Sequence, residues 1–233
     1  MTQLTTKQPL PGTVPDPLYP DSDGRFMGDT DFHAHAQMHL REGLQDFFAA
    51  VPDVYVGSNL IYYYERGNPR SRRDPDILVA RGVGKHRRRS CRVWEEKVVP
   101  TTFFEIASKK AYRQDVGKKR DLYEKLRITE YFVFDPEGPY LDPRLQGFRL
   151  VKGLYVPLLP DAQGALISRE LGLRLIPEES MLRLHDLKTG EPVLTRSERA
   201  EQEAQRAERE KRRADALEAE LKRLRKNLGK QDS

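Results

Sequence analysis

The sequence predicts an α/β fold: a mixed sheet flanked by helices, followed by a small C-terminal β-meander and a long charged helical tail. Three observations carry this. An apolar stripe at helical spacing (Leu40, Leu44, Phe47, Phe48, Val51) precedes a series of β-rich runs. A second stripe, through Tyr112, Val116, Tyr123 and Leu126, lies between two further apolar runs. From Ser197 the chain is almost entirely Glu, Arg, Lys, Ala and Leu. Helix, strands, helix, strand is the order of a sheet with helices on its faces.

The elements follow in turn. Residues 1–28 are rich in Pro, Gly, Asp and Thr and read as an extended arm. Thr30 or Asp31 can cap the first helix, which ends by Pro52. Strand signals cover 53–64, 76–80, 98–107 and 130–134, the last stopped by Asp135-Pro136. The second helix is expected from Lys110 to Arg127. Short apolar runs in 140–195, broken by Gly, Pro and Asp, read as the meander. The boundaries are therefore 1–28 for the arm, 29–195 for the globular domain and 196–233 for the tail. In the tail, Ala207, Ala214, Leu217, Leu221, Leu224 and Leu228 trace a heptad seam, weakened by Glu203 and Glu210 on the same register. A homodimer through this helix is the expectation; the plainer alternative is a solvated single helix with i,i+4 charge pairs.

Of the 233 residues, 37 % are hydrophobic and 33 % charged, with a net charge of +5. The basic residues concentrate from Arg66 to Arg92, where Asp74 and Asp76 are the only acids. Such a block favours a polyanion; the plainer reading is a solubilising loop. Arg72, Arg73, Lys85, Arg87, Arg88 and Arg89 are the candidate nucleic-acid contacts. The single cysteine, Cys91, rules out an intramolecular disulfide and a cysteine-based zinc site. No apolar run approaches the ~20 residues of a membrane helix, and no basic segment followed by an apolar run opens the chain. A cytoplasmic protein with no membrane partner is expected.

The chemistry is concentrated between residues 74 and 136. Asp76 opens one apolar strand in D-P-D-I-L-V-A. Glu105 interrupts a second in T-T-F-F-E-I-A-S. Lys119 falls in the apolar stripe of the second helix. Singly, each has an ordinary explanation: a turn aspartate, a solvent-facing glutamate, a snorkelling lysine. Together, two carboxylates and an amine against a sheet core are costly to bury unless they bind something. A divalent cation and a phosphodiester fit. Hard Mg²⁺, or Mn²⁺ in its place, takes a few carboxylate oxygens and keeps several waters. Asp76 and Glu105 suit that role, with the Ile106 backbone carbonyl completing the set. Lys119 is placed to steady a water or the phosphate, Asp115 one turn earlier to hold its ammonium, and Tyr123 lies on the same face. Lys109, Lys110 and Lys118 compete for the role of the lysine. His33 is a candidate to face the cleft. His35 and His39 stand at i,i+4 but lack a third metal ligand. Asp21, Asp23 and Gly24 begin like a calcium loop but read as a turn.

These stretches, P-D-I-L-V, F-F-E-I-A-S, D-V-G-K-K-R-D-L-Y and E-Y-F-V-F-D-P, resemble the Uma-two family of endonucleases within the PD-(D/E)XK restriction-endonuclease-like superfamily. The resemblance implies a restriction-endonuclease-like core and Mg²⁺-dependent cleavage of DNA. It matches Asp76 to the PD aspartate, Glu105 to the second carboxylate and Lys119 to the basic residue of the following helix. Ala107 stands where a strict E-x-K carries its lysine. The rival expectations are a catalytically inactive nucleic-acid-binding member of the same fold, and an interaction protein whose function resides in its coiled coil.

Overall fold

A computed structural model describes residues 10–22 and 30–228, with side chains described as far as residue 222. The chain divides into two compact units, 1–193 and 194–233. The first unit is built on a six-stranded mixed sheet in the order β1-β4-β6-β7-β8-β9. These strands are β1 (Val54–Ser58), β4 (Ile77–Arg81), β6 (Thr102–Ile106), β7 (Glu130–Phe134), β8 (Leu145–Val151) and β9 (Leu154–Pro157). Only β6 and β7 run parallel; every other neighbour is antiparallel.

Period-two alternation sends side chains to two cores. Ile77, Val79, Phe104, Ile106, Phe132 and Phe134 share one cluster with Ala36, Leu40 and Leu44 of helix α1 (Asp31–Phe47). Thr30 caps α1 as expected, its side chain accepting from the His33 amide. Leu78, Phe103, Ala107, Tyr131 and Val133 belong to the opposite cluster. That face is covered by the segment from α3 (Tyr112–Gln114) through a π turn (Asp115–Lys119) to α4 (Arg120–Lys125).

Four expectations are revised. The second helix is shorter than Lys110–Arg127, and a π turn interrupts it. The expected meander divides: β8 and β9 extend the main sheet, and only β10 (Leu166–Ser168), β11 (Leu173–Glu178) and β12 (Met181–Asp186) form the small antiparallel sheet. That sheet packs on the α1 face, where a Cβ at Gly147 would come within 2.7 Å of Leu166, so β8 needs glycine there. The apolar run at 60–64 supplies only β2 (Tyr62–Tyr63), in a separate three-stranded sheet with β3 (Arg72–Arg73) and β5 (Cys91–Arg92).

The fourth revision concerns the arm. Its described part, 10–22, is tied to the domain. Tyr19 packs on Tyr63 and Trp94, the Gly12 amide donates to Glu95 at 2.8 Å, and the Arg89 amide donates to the Gly12 carbonyl at 2.7 Å. Asp23 and Gly24 lie outside the described residues.

The edge strand β9 is blunted against further pairing. The Tyr155 amide donates to Glu124 at 2.5 Å, and Pro157 has no amide hydrogen.

The second unit is a single helix, α5 (Arg196–Leu228). A reciprocal capping box starts it: the Thr195 amide donates to Glu198 at 2.8 Å and the Glu198 amide to the Thr195 hydroxyl at 3.3 Å. Leu217 and Leu221 of the expected seam are exposed, flanked by i,i+4 pairs such as Arg206–Glu210 and Arg212–Glu208. The side chains of Leu224 and Leu228 lie outside the described residues. No described helix is long and apolar enough to cross a membrane.

Candidate active site

The antiparallel register of β4 and β6 pairs Ile77 with Phe104. Continued by one residue, it sets Asp76 opposite Glu105, on the face of Leu78 and Phe103. The ladder stops there because Asp76 takes over as acceptor: its Oδ2 receives the Ile106 amide at 2.6 Å. The N-terminal part of α1 reaches the same end of the sheet. Gln37 donates to the Asp76 carbonyl at 3.1 Å and to Asn59 at 2.6 Å, and His33 Nε2 stands 3.5 Å from Asp76 Oδ2.

Glu105 is 3 % exposed. Tyr123 donates to its Oε1 at 2.8 Å, and Lys119 Nζ lies 2.9 Å from its Oε2. Below it, Phe103, Tyr123 and Tyr131 form a chain of edge-to-face contacts at 4.8 and 5.0 Å. This aromatic floor keeps water away. Burial therefore pushes the Glu105 carboxyl up to about 8; Asp76 and Asp115 push the same way and Lys119 pulls it back.

The π turn is how the helix delivers the lysine. A π turn closes i→i+5 bonds and widens the helix. Here it sets Lys119 over Asp115, Nζ to Oδ1 at 2.9 Å, while Nζ still reaches Glu105. The Asp115 carbonyl accepts from Tyr131 of β7 at 2.9 Å, which pins the turn to the sheet. Asp115 is itself only 1 % exposed, so burial raises its carboxyl as well. Lys119 moves in the direction expected of an ammonium between two carboxylates: its pKa is raised, although burial alone would lower it.

The structure thus brings Asp76, Glu105, Lys119, Asp115, Tyr123 and His33 together. It leaves Lys109, Lys110 and Lys118 on the surface. Tyr131 and Gln37 are members that sequence reasoning missed. Tyr131 lay within a run read only as strand core; Gln37 lay on α1, one turn from His33.

The candidate nucleic-acid contacts are divided. Arg72 and Arg73 line an open cavity of about 270 Å³ with Asn59 and Asp74, next to Asp76. Arg87 is exposed. The others have internal partners. Arg88 forms a two-pronged ion pair with Glu96 at 2.5 and 3.0 Å, and its guanidinium lies 4.1 Å from the Tyr55 ring centre. Arg89 pairs with Asp21 at 2.5 Å, and Lys85 donates to the carbonyls of Phe48 and Ala49. Glu95 and Glu96, on the short helix α2 (Val93–Glu96), follow directly after the basic run and were the available signal. Cys91 is buried and its thiol pushed up to about 12, so the neighbouring arginines do not activate it.

The donor set suits a hard divalent cation. Two buried carboxylates, Glu105 and Asp115, meet the Lys119 ammonium, and among the described residues Asp76 Oδ1 holds no hydrogen bond shorter than a 3.4 Å contact from Gln37. Among the described residues no three His, Cys, Asp or Glu side chains converge as a ready cage. Two carboxylates, the Ile106 carbonyl and water are a set of the kind Mg²⁺ accepts.

Two acidic side chains and a lysine thus meet at one end of a mixed α/β sheet. Residues 13–177 match the Uma2 family, described as "Putative restriction endonuclease", and the chain belongs to that family. One similar solved structure is described as a "putative nuclease belonging to DUF820" from Anabaena variabilis ATCC 29413. It is 14 % identical with a TM-score of 0.45, over 61 % of this chain and 75 % of that one. No curated protein matches.

Proposed function

We propose that the protein is a divalent-metal-dependent endonuclease that hydrolyses DNA phosphodiester bonds. The observation that carries this reading is the convergence of Asp76, Glu105 and Lys119, with Lys119 Nζ 2.9 Å from Glu105. Asp76, Glu105 and the Ile106 carbonyl would hold Mg²⁺ or Mn²⁺; when bound, the cation lowers the pKa of water and offsets charge developing on the phosphate. The chain's own contribution is orientation. Tyr123 and the aromatic floor fix Glu105 and keep bulk water from it. Asp115 holds the Lys119 ammonium when Glu105 is otherwise engaged, so the lysine stays aimed at the water or phosphoryl oxygen.

The test is plasmid cleavage by the full-length chain with Mg²⁺, Mn²⁺ or EDTA. Cleavage is expected with either cation and absent in EDTA. Asp76→Ala and Glu105→Gln are expected to abolish it with the circular dichroism spectrum retained. Full activity in either variant would sink the site assignment.

The tail supports a second proposal within the same reading, homodimerisation through α5. Leu217 and Leu221, 53 % and 55 % exposed, continue the heptad seam read from the sequence. Paired active sites would then address both strands of a duplex. Analytical ultracentrifugation should find a dimer for residues 1–233 and a monomer for 1–195; equal masses would reject the helix as the dimer contact.

A further inference from the structure

Gly117 sits inside the π turn, two residues before Lys119. Its presence there is not explained by the fold. A helical glycine is unfavourable relative to alanine. Gly117 does not adopt the left-handed backbone that would require glycine, and a Cβ built on it would meet nothing within 4 Å among the described residues outside its own helix backbone and chain neighbours. Among the described residues neither strain nor packing calls for a residue without a side chain. The remaining use of glycine is to let another molecule approach the backbone closely.

The surroundings state the charge of that molecule. Lys109, Lys110, Arg113 and Lys118 are exposed around this turn. Among the described residues none of the three lysines forms an ion pair, and Arg113 has only the Tyr112 hydroxyl, at 3.0 Å. Asp115, the acid of the turn itself, points inward and is held by Lys119. The outer face is therefore positive and uncompensated, beside the buried end of Lys119. In the 81–92 loop, by contrast, Arg88, Arg89 and Lys85 already have internal partners.

We infer that the outer face of the π turn, Gly117 with Arg113 and Lys118 and the preceding Lys109 and Lys110, is where the sugar-phosphate backbone of DNA crosses the protein. The backbone passes closest at Gly117 and is held by the four cations. This assignment rests on the nuclease reading and gives it a substrate surface, distinct from the basic loop that the sequence suggested. The cations act on affinity; Lys119 acts on the reaction.

The experiment measures binding without cleavage. Full-length protein in EDTA is titrated against a fluorescent 20-base-pair duplex, by anisotropy, over a series of NaCl concentrations. Lys118→Ala and Arg113→Ala should each weaken binding several-fold and reduce the slope of log K against log [NaCl] by up to about 0.9. Arg87→Ala, an exposed arginine of the basic loop, should leave both unchanged. Gly117→Ala should raise the melting temperature, because alanine is the better helix former, yet weaken binding several-fold without altering the slope. Gly117→Leu should weaken it further.

A lower melting temperature for Gly117→Ala would assign the glycine to the π turn itself and overturn the inference. So would wild-type affinity in Gly117→Leu and Lys118→Ala. If those variants bind normally while the wild-type protein binds and cleaves DNA, the surface is wrong and the nuclease reading stands. If the wild-type protein neither binds nor cleaves, both fall.

Discussion

The basic loop at 81–92 and the corner that follows β6, residues 105–119, invite comparison because each crowds charge into a short stretch. They use it in opposite ways. In the loop, Arg88 and Glu96 are 1 % and 4 % exposed and bind each other twice, Arg92 meets Glu95 at 2.8 Å, and Arg81 donates to the Glu170 carbonyl at 3.1 and 2.5 Å. Arg81, Arg88, Arg89 and Arg92 are consumed in fastening the arm, α2 and the small sheet, and Arg87 stays exposed. At the corner, two buried carboxylates, Glu105 and Asp115, share one ammonium with the half-buried Asp76 near them, and among the described residues Lys109, Lys110 and Lys118 have no ion-pair partner. Charge that is matched internally builds structure, whereas charge left mismatched or unmatched is available to a ligand. A run of arginines does not reveal which of these applies until its acids are located.

Breaking the loop should therefore cost stability. Removing one partner of a buried ion pair leaves the other charge uncompensated, typically at about 3–5 kcal/mol. Arg88→Ala is expected to lower unfolding free energy by that order in urea titration, with most loss from stranded Glu96 and from the contact with Tyr55. The double change Arg88→Met with Glu96→Leu should recover much of it. A near-neutral Arg88→Ala would return the residue to the solvent-facing role that the sequence suggested.

Breaking the corner should instead cost rate. Lys119→Ala removes one preorganised charge, worth about 3 kcal/mol or roughly a hundredfold in turnover. Lys118→Ala, one position away but on the surface, should leave turnover at saturating DNA unchanged. Equal losses in single-turnover assays would mean that the two lysines were not divided between affinity and chemistry. Lys119→Ala also strands two buried carboxylates, so stability falls in both variants; the sharper test of the comparison is turnover of the folded protein, which Arg88→Ala should leave unchanged and Lys119→Ala should lower.

Much of the corner was legible in the sequence because its pattern is local. Asp76 opens one continuously apolar strand and Glu105 interrupts another, so each carboxylate stands out against its run, and pairing the two strands brings them together. Lys119 shares a helical stripe with Tyr112 and Tyr123. The π turn was not legible, since a stripe at α-helical spacing looks the same whether or not one turn is widened; Gly117 within it was the visible irregularity. The division of the meander was also hidden. Leu145–Val151 looks like any short apolar run of that region, and its place beside β7 follows from packing across the sheet. The internal pairing of the loop was not legible because its partners lie at other positions: Asp21 and Gly12 in the arm, Glu95 and Glu96 beyond the end of the run, and the carbonyls of Phe48 and Glu170.

The corner should also register pH. Glu105 in the folded protein titrates near 8, against about 4.3 for an unperturbed glutamate. Between those values the folded chain holds a proton that the unfolded chain has released. Unfolding then releases a proton, so rising pH favours the unfolded state. The contribution is fully present below about pH 4, is lost as pH rises through 8, and is constant above. Asp115, raised by burial, acts with the same sign. In EDTA the melting temperature of the wild-type protein should fall from pH 5.5 to 8.5, by about 2–4 °C for each kcal/mol of linkage. Glu105→Gln carries no proton to release and keeps the shape of the side chain. Its melting curve should therefore be the flatter of the two, and the difference between the curves isolates Glu105 from the exposed acids common to both. Parallel curves would show that Glu105 is ionised throughout and that Lys119 has already compensated it, which would make the corner a matched site like the loop.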